Sequence, residues 1–450
     1  MRVHFIAIGG SAMHNLALAL HENGSQVTGS DDVIFEPSKS RLKKAGLLPE
    51  TIGWNPEHIT EDLDMVVLGM HAKADNPELL KAQELGLKVV SYPEFLYEHS
   101  KDKTRVVIGG SHGKTSITSM ILHVMRYWDK EVDYMVGAQL DGFDTMVHLT
   151  ESNDFIVLEG DEYLSSTIDR SPKFHLYQPN IALLSGIAWD HVNVFPTFES
   201  YVEQFKIFLD KITSGGSVIY NAEDEVLSRT VLASENTIKK YPYSTPEHEI
   251  NDGQTLLDTP EGLMPLEIFG KHNLQNLEGA RWICQLMGVD EIDFYEAIAS
   301  FTGASKRLEK IYDSSDTIIY KDYAHSPSKV EATTTAVKEQ YPDKKLIACL
   351  ELHTYSSLTP TFLEEYQNTL NPADEAIVFY SPDAVEIKGL NPISKEQIEE
   401  SFNRSELTVF TEPSELETYL KEKDLSNSVL LLMSSGNYGG LPMDDIATIV

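Results

Sequence analysis

The run Val106-Val107-Ile108-Gly109-Gly110-Ser111-His112-Gly113-Lys114-Thr115-Ser116 constrains this chain more than any other stretch. Three β-branched residues read as a buried strand, the glycines as a tight turn, and the apolar spacing from Ile117 to Met125 as a helix. Strand, glycine turn and helix in that order make a phosphate cradle, because N–H groups of the turn and of the helix N-terminus point at anionic oxygens. In such a cradle Lys114 reaches the β- and γ-phosphates and the Thr115 hydroxyl holds Mg²⁺. The expected ligand is therefore ATP, on Gly110, Ser111, His112, Gly113, Lys114, Thr115 and Ser116. Gly109 lies four positions before Gly113, so the loop is one residue shorter than the common G-x-x-x-x-G-K-[ST] form. An ordinary glycine turn before a helix is the competing reading, and the flanking strand and helix weigh against it.

With 450 residues the chain is long enough for two to four domains. There are 36 basic and 70 acidic residues, a formal charge of −34. That excess argues against nucleic acid or an anionic membrane as a partner, and reads as a solvated acidic surface. Cys284 and Cys349 each sit in an apolar run and are expected to be buried thiols rather than a disulfide or a metal site. Val3 to Ile8 is too short for a signal peptide, and no apolar stretch approaches the roughly 18 residues of a membrane span. The expectation is a soluble cytoplasmic protein, monomeric or weakly self-associating.

The pattern divides the chain into three α/β segments, 1–100, 101–303 and 304–450. In the first, a strand from Val3 to Ile8, a helix from Ala12 to Glu22 and a strand from Gln26 to Gly29 form a βαβ unit. It resembles a dinucleotide fold, but G-x-G-x-x-G is incomplete. Glu98 to Lys103 reads as a linker. In the second segment the strands are Phe155 to Glu159, Ile181 to Ser185 and Ser217 to Tyr220, with helices from Phe198 to Ile212 and Leu274 to Met287. In the third, strands begin at Thr317, Lys345, Glu375, Leu407 and Ser428, with helices from Pro327 to Gln340 and Pro360 to Leu370 between them. Alternating strands and helices imply mostly parallel sheets covered on both faces.

Several polar clusters end these strands. Glu159-Gly160-Asp161-Glu162 suits Mg²⁺, although acidic strand ends are often merely solvated. His191, in Trp189-Asp190-His191, fits a second metal, a phosphate oxygen or a purely structural place. In Gly270-Lys271-His272-Asn273-Leu274-Gln275-Asn276, Asn273 reads as a helix N-cap, or with Asn276 as a reader of an adenine edge. Asp322 suits a ribose and Arg307 the γ-phosphate, and surface salt bridges suit both equally.

In order along nearly the whole chain, these motifs resemble the Mur ligase family of peptidoglycan precursor synthesis. They are Ile8-Gly9-Gly10, Gly29-Ser30-Asp31, the phosphate loop, Glu159-Gly160-Asp161-Glu162, Asp190-His191, Gly270-x-His272-Asn273-x-x-Asn276, Arg307-Leu308-Glu309 and Asp322-Tyr323-Ala324-His325-Ser326-Pro327. The resemblance implies a Rossmann-like UDP-binding domain, a central P-loop ATPase domain and a Rossmann-like C-terminal domain that closes over ATP. It implies a UDP-sugar on Gly9, Gly10, Ser11, Ser30, Asp31 and His71, and ATP contacts from His272, Asn273, Asn276, Arg307 and Asp322. Lys114, Glu159, His191, Arg307 and His325 would be catalytic. Thr115, Glu159 and His191 would hold Mg²⁺, and His325, His353 and Asn437 would face the acceptor. Lys206, 15 positions after His191, stands where several members carry a carbamylated lysine that bridges to the metal.

Within the family, three stretches resemble the branch that returns a recovered wall tripeptide, L-alanyl-γ-D-glutamyl-meso-diaminopimelate, to UDP-N-acetylmuramate. They are Asp161-Glu162-Tyr163 with Asp169-Arg170-Ser171-Pro172-Lys173-Phe174, Asp190 to Pro196, and Met433 to Leu441. The branch that adds L-alanine is the alternative, and a sensor that binds ATP and UDP-sugar without catalysis is a third reading. Ser111 stands for a threonine, Gly160 for an alanine, Ser326 for a second histidine, and Leu352-His353-Thr354 for a Pro-Arg-Ser run. The last departure falls where the peptide would bind.

Overall fold

The computed structural model describes residues 1–441 apart from 138, 141, 142, 144, 305, 306 and 405. It divides into two compact units, one of Met1–Ile187, Glu199–Ser244 and Gly279–Ala297, the other of Ala188–Phe198, Thr245–Glu278 and Ile298–Val450. The architecture is α/β, as the alternation of elements implies.

The first unit carries two sheets among the described residues. In the smaller, the strands Gln26–Ser30, Arg2–Ile6, Met65–Leu68 and Val89–Ser91 lie side by side, all parallel. Val3, His4, Phe5 and Ile6 are all buried, so both faces of the sheet are covered. The larger has seven strands in the order Lys239–Tyr243, Ser217–Asn221, Ile181–Leu184, Thr104–Gly109, Phe155–Glu159, Asp133–Met135 and Val147–His148. Only the last pair is antiparallel. Thr104–Gly109 is the central strand. The chain passes from it to strands on one side before crossing to Ile181–Leu184 on the other, so its carboxyl end is a topological switch point, where open α/β sheets bind ligands.

In the second unit the strands run Glu309–Asp313, Thr317–Asp322, Ser428–Met433, Lys345–Leu352, Glu375–Tyr380 and Leu407–Phe410, antiparallel only in the first pair. Period-two alternation feeds two cores. Ile318, Leu346, Ala348, Val429 and Leu431 pack in one, while Ile319, Ile347, Cys349, Leu430 and Leu432 pack in the other. Cys284 and Cys349 are free and buried as expected, and burial pushes the Cys349 thiol up to about 12.

Several boundaries depart from the sequence reading. The linker expected from Glu98 begins two residues later, because Tyr92–His99 is a helix fixed by a Ser91–Glu94 capping box. The helix expected from Pro360 to Leu370 is a short α-helix, Pro360–Leu363, followed by a 3₁₀ turn, Glu364–Tyr366. Asn368, at φ +66°, then turns the chain away, while Tyr366 and Leu370 bury in the core. An antiparallel sheet of His248–Asn251, Gln254–Thr259 and Gly262–Leu266 has no counterpart in that reading. Asp252 and Gly253, both at positive φ, make its first turn, and Gln340 holds it by bonds to Gly253 O (2.6 Å) and Thr255 Oγ1 (2.9 Å).

Asn273 is not an N-cap. The helix Lys271–Leu286 starts two residues before it, and its side-chain amide donates to Phe269 O at 3.0 Å. The start is set by Gly270, at φ +87°, where a Cβ would lie 2.5 Å from the Cβ of Ala336. Gly270→Ala is therefore expected to destabilise the protein by about 3 kcal/mol, from backbone strain and overpacking together. Gly389→Ala, at φ +66° in open space, should cost about 1 kcal/mol. Denaturant unfolding of the two variants checks this, and equal losses would contradict it.

Candidate functional site

In the first unit the strand Thr104–Gly109 ends in the glycine turn, and the helix Lys114–Tyr127 begins directly after Gly113, which caps it at φ +75°. Gly110, at φ +120°, has no room for a side chain, because a Cβ would meet Ser185 N at 2.8 Å and Gly186 N at 3.1 Å. Ser111 N–H donates to Gly186 O at 3.0 Å, and the Ser185 hydroxyl donates to His112 O. The turn is thus laced to the end of the neighbouring strand.

On the other side the strand Phe155–Glu159 delivers its acidic end. Thr115 Oγ1 donates to Glu159 Oε1 at 2.8 Å, and Gly137 N–H donates to Glu159 Oε2 at 2.8 Å. Lys114 Nζ bonds Gly110 O at 2.6 Å and Glu162 at 2.7 Å. Burial alone would lower the Lys114 pKa, but Glu162, Asp161 and Glu159 outweigh it and raise it. Asp161 accepts from Lys173 Nζ at 2.5 Å, and Lys173 also lies over the rings of Tyr92 and Tyr163. Tyr201 OH donates to Glu162 at 2.8 Å and lies 2.9 Å from Ser111 Oγ. Lys173 and Tyr201 have no site role in the sequence reading, and Glu162 enters it only as one of the strand-end carboxylates that suit Mg²⁺. The Lys173 signal was present in the motif run, whereas Tyr201 reads as an ordinary apolar position of the helix Phe198–Lys211. A threonine hydroxyl touching a carboxylate beside the loop is an oxygen donor set that fits a hard divalent cation.

Lys206 lies on the outer face of that helix, 56% exposed, paired with Glu203 at 2.9 Å.

The first unit also gathers Gly9, Ser30 and Asp31 at the carboxyl ends of its smaller sheet. Asp31 accepts from Gly9 N–H at 2.7 Å, and a Cβ on Gly9 would lie 2.9 Å from that carboxylate. Burial raises the Asp31 pKa. Ser30 donates to Glu78, a fully buried carboxylate that also accepts from Asn55 N–H and faces His4. Gly10 precedes the helix Ser11–Glu22, and His71 is exposed in the turn beyond Met65–Leu68.

In the second unit Asp322 accepts from Leu308 N–H and Ala324 N–H, each at 2.7 Å, and fixes the turn that carries Arg307. Arg307 stacks over Tyr323 at 4.7 Å. Asn276 is buried, and burial lowers the pKa of His272. His191, at φ +56°, follows Asp190, which accepts its N–H at 2.7 Å and lies 3.8 Å from Lys329. Burial would raise the Asp190 pKa, but Lys329, His191 and His325 hold it well below the usual range.

His325 Nδ1 lies 2.8 Å from Tyr323 O. A carbonyl only accepts, so Nδ1 carries the hydrogen and Nε2 is the bare nitrogen. Further along, Glu351 accepts from Tyr438 N–H at 2.8 Å and from Ser434, and lies 3.7 Å from His353. A Cβ on Gly436 would lie 2.7 Å from the His353 ring. His353 and the turn of Asn437 are thereby held together, with Asn437 Oδ1 accepting from Gly440 N–H.

The fold and the phosphate loop define an ATP-using enzyme built on parallel-rich sheets. Three family models match in sequence order: "Mur ligase family, catalytic domain" over 2–104, "Mur ligase middle domain" over 108–283 and "Mur ligase, glutamate ligase domain" over 306–436. The UDP-N-acetylmuramate–L-alanine ligase of Caldicellulosiruptor bescii is 31% identical over 390 residues, covering 83% of this chain and 82% of the relative. The crystal structure of a murein peptide ligase from Psychrobacter arcticus covers 100% of this chain and 98% of its own, at TM-score 0.67 and 23% identity, a likeness of fold. The UDP-N-acetylmuramate:L-alanyl-γ-D-glutamyl-meso-diaminopimelate ligase from Neisseria meningitides is 25% identical at TM-score 0.59, covering 67% of this chain and 98% of its own. The chain belongs to the Mur ligase family, and is an ATP-dependent ligase that forms a carbon–nitrogen bond. No helix among the described residues is long and apolar enough to cross a membrane.

Burial pushes the His325 imidazole down to about 4, with Lys329 adding to the effect. Its folded pKa is depressed, so the stability tied to its neutral form is full above about pH 6.5 and is lost as pH falls toward 4. An imidazole NMR titration assigned through His325→Gln should give a midpoint below 5. A midpoint near 6.5 would refute the buried, neutral assignment.

Proposed function

We propose that the enzyme joins the lactyl carboxylate of UDP-N-acetylmuramate to the α-amine of L-alanyl-γ-D-glutamyl-meso-diaminopimelate, as in peptidoglycan recycling. The observation that carries this reading is the loop from Asp161 to Lys173. Its sequence resembles the tripeptide-adding branch, and the Lys173–Asp161 and Lys114–Glu162 pairs build it into the surroundings of the phosphate loop. The Neisseria relative, named for the same substrates, supports it. L-Alanine as acceptor is the second reading, favoured by the 31% identical relative.

In this reading a carboxylate oxygen of the sugar attacks the γ-phosphorus of ATP, ADP leaves, and an acyl phosphate forms. The amine nitrogen then attacks the acyl carbon, the nitrogen gives up a proton, and inorganic phosphate departs as the amide forms. The N–H groups of Gly110 to Ser116 bind the phosphates, and Lys114 exchanges Glu162 for a phosphate oxygen. Thr115 and Glu159 would hold Mg²⁺, which would supply positive charge to the phosphoryl oxygens. Arg307 adds a second positive charge. Gly9, Gly10, Ser11, Ser30, Asp31 and His71 seat the UDP-sugar, and His353 and Asn437 the acceptor. Nε2 of His325 is the proton acceptor. A base of such low pKa is unprotonated at neutral pH, and takes the proton once the new C–N bond has made the nitrogen acidic.

Phosphate release from ATP with UDP-N-acetylmuramate is expected with the tripeptide and not with L-alanine, and Lys114→Ala should lower it at least about 100-fold. Release with L-alanine alone would establish the second reading. Silence with both acceptors would refute the ligase roles given to these residues.

A further inference from the structure

The phosphate loop is closed by a directional chain of bonds through a tyrosine from a distant helix. Tyr201 is fully buried on Phe198–Lys211, with its ring packed edge-on to Phe205 at 5.3 Å. Its hydroxyl has one hydrogen, and its 2.8 Å contact with Glu162 Oε1 takes that hydrogen, because a carboxylate only accepts. Ser111 Oγ, 2.9 Å away, is then the donor to the tyrosine oxygen. The sequence of bonds runs from Ser111 O–H to Tyr201 O–H to Glu162, whose other oxygen binds Lys114 Nζ at 2.7 Å. Ser111 and Lys114 both belong to the turn that would meet the nucleotide, so both ends of the chain lie in the loop.

The arrangement addresses a conflict in the loop. Lys114 is neutralised by Glu162 at rest, and a bound triphosphate needs the same ammonium. If Glu162 followed Lys114 toward the phosphates, a carboxylate would stand among anionic oxygens at close range, where repulsion is strong in a partly dehydrated site. A carboxylate anchored by a buried O–H donor stays behind when the lysine turns away.

We propose that Tyr201 is a positioning residue for nucleotide binding, holding Glu162 back so that Lys114 can change partners from carboxylate to phosphate. The inference deepens the proposed function at its nucleotide site but does not depend on the acceptor. Tyr201 touches neither substrate nor reacting atoms in this account, and acts through Glu162.

The test is calorimetric titration of the full chain with ADP in the presence of Mg²⁺, beside a titration with UDP-N-acetylmuramate and a thermal melt. Tyr201→Phe keeps the ring and its packing and removes only the hydroxyl. It is expected to weaken ADP about 5- to 20-fold while UDP-N-acetylmuramate affinity stays within about two-fold, and Ser111→Ala should show the same selectivity more weakly. In a Glu162→Gln background Tyr201→Phe should have almost no further effect on ADP. An unchanged ADP affinity in Tyr201→Phe overturns the proposal. So does an equal loss for both ligands with a lowered melting temperature, which marks general packing. An undiminished effect in the Glu162→Gln background also overturns it, because the influence would then bypass that carboxylate. ADP binding is read without turnover, so failure of the ligase reading, seen in phosphate release, is separable from failure of this one.

Discussion

A half-buried ammonium at the end of a sheet has to be neutralised, and much of the site in the first unit follows from how this chain does so for Lys114. Unpaired, such a charge would cost several kcal/mol. Glu162 supplies the counter-charge from the end of the neighbouring strand, and Lys173 does the same for Asp161 from the far side of the same loop. These two pairs decide where the chain goes after Glu159. It turns back on itself, with Lys173 N–H on Tyr163 O and Phe174 N–H on Asp161 O, and the turn presents its carboxylates inward. Glu159, Asp161 and Glu162 outnumber the two lysines by one. That residual negative charge beside a threonine hydroxyl favours a cation there, whose own charge would offset that of a phosphate in the loop.

The same local chemistry recurs through the molecule. Loops leaving the carboxyl edge of a parallel sheet carry backbone N–H groups that no ladder satisfies, and a buried carboxylate near the strand end accepts them. Asp31 takes Gly9 N–H, and the half-buried Asp224 takes Ile187 and Leu227 N–H. In the second unit Asp322 takes Leu308 and Ala324 N–H, and Glu351 takes Tyr438 N–H. Each carboxylate draws together segments far apart in sequence. The glycines beside them are required for a related reason: at Gly9, Gly110 and Gly436 the partner backbone or side chain comes closer than a Cβ permits.

Much of the sheet framework was legible because a parallel strand buried on both faces is a continuous apolar run. Ser428–Met433, buried at every position, stands where that signal placed it. The strands from His248 to Leu266 escaped it because their outer residues are polar or exposed, leaving Asp252-Gly253 as the local hairpin signal. Gly270 misled in another way. An asparagine before an apolar helical run suggests a cap, but the close approach of Ala336 selects glycine at the true start and moves the helix back three residues.

Site residues divide along the same physical line. The phosphate loop is legible because its function needs several residue types in a fixed order, and few other uses require them all. Tyr201 is not, since a buried tyrosine at helical spacing is ordinary core until its hydroxyl finds two polar partners 39 and 90 positions away. Asp322 shows the converse. An acidic residue after a strand suits a ribose or a loop tie, and the sequence is the same for both. The hydrogen-bond geometry adds what the sequence does not show: each oxygen of Asp322 accepts a backbone N–H at 2.7 Å, so the carboxylate ties Leu308 and Ala324 together whatever else it binds.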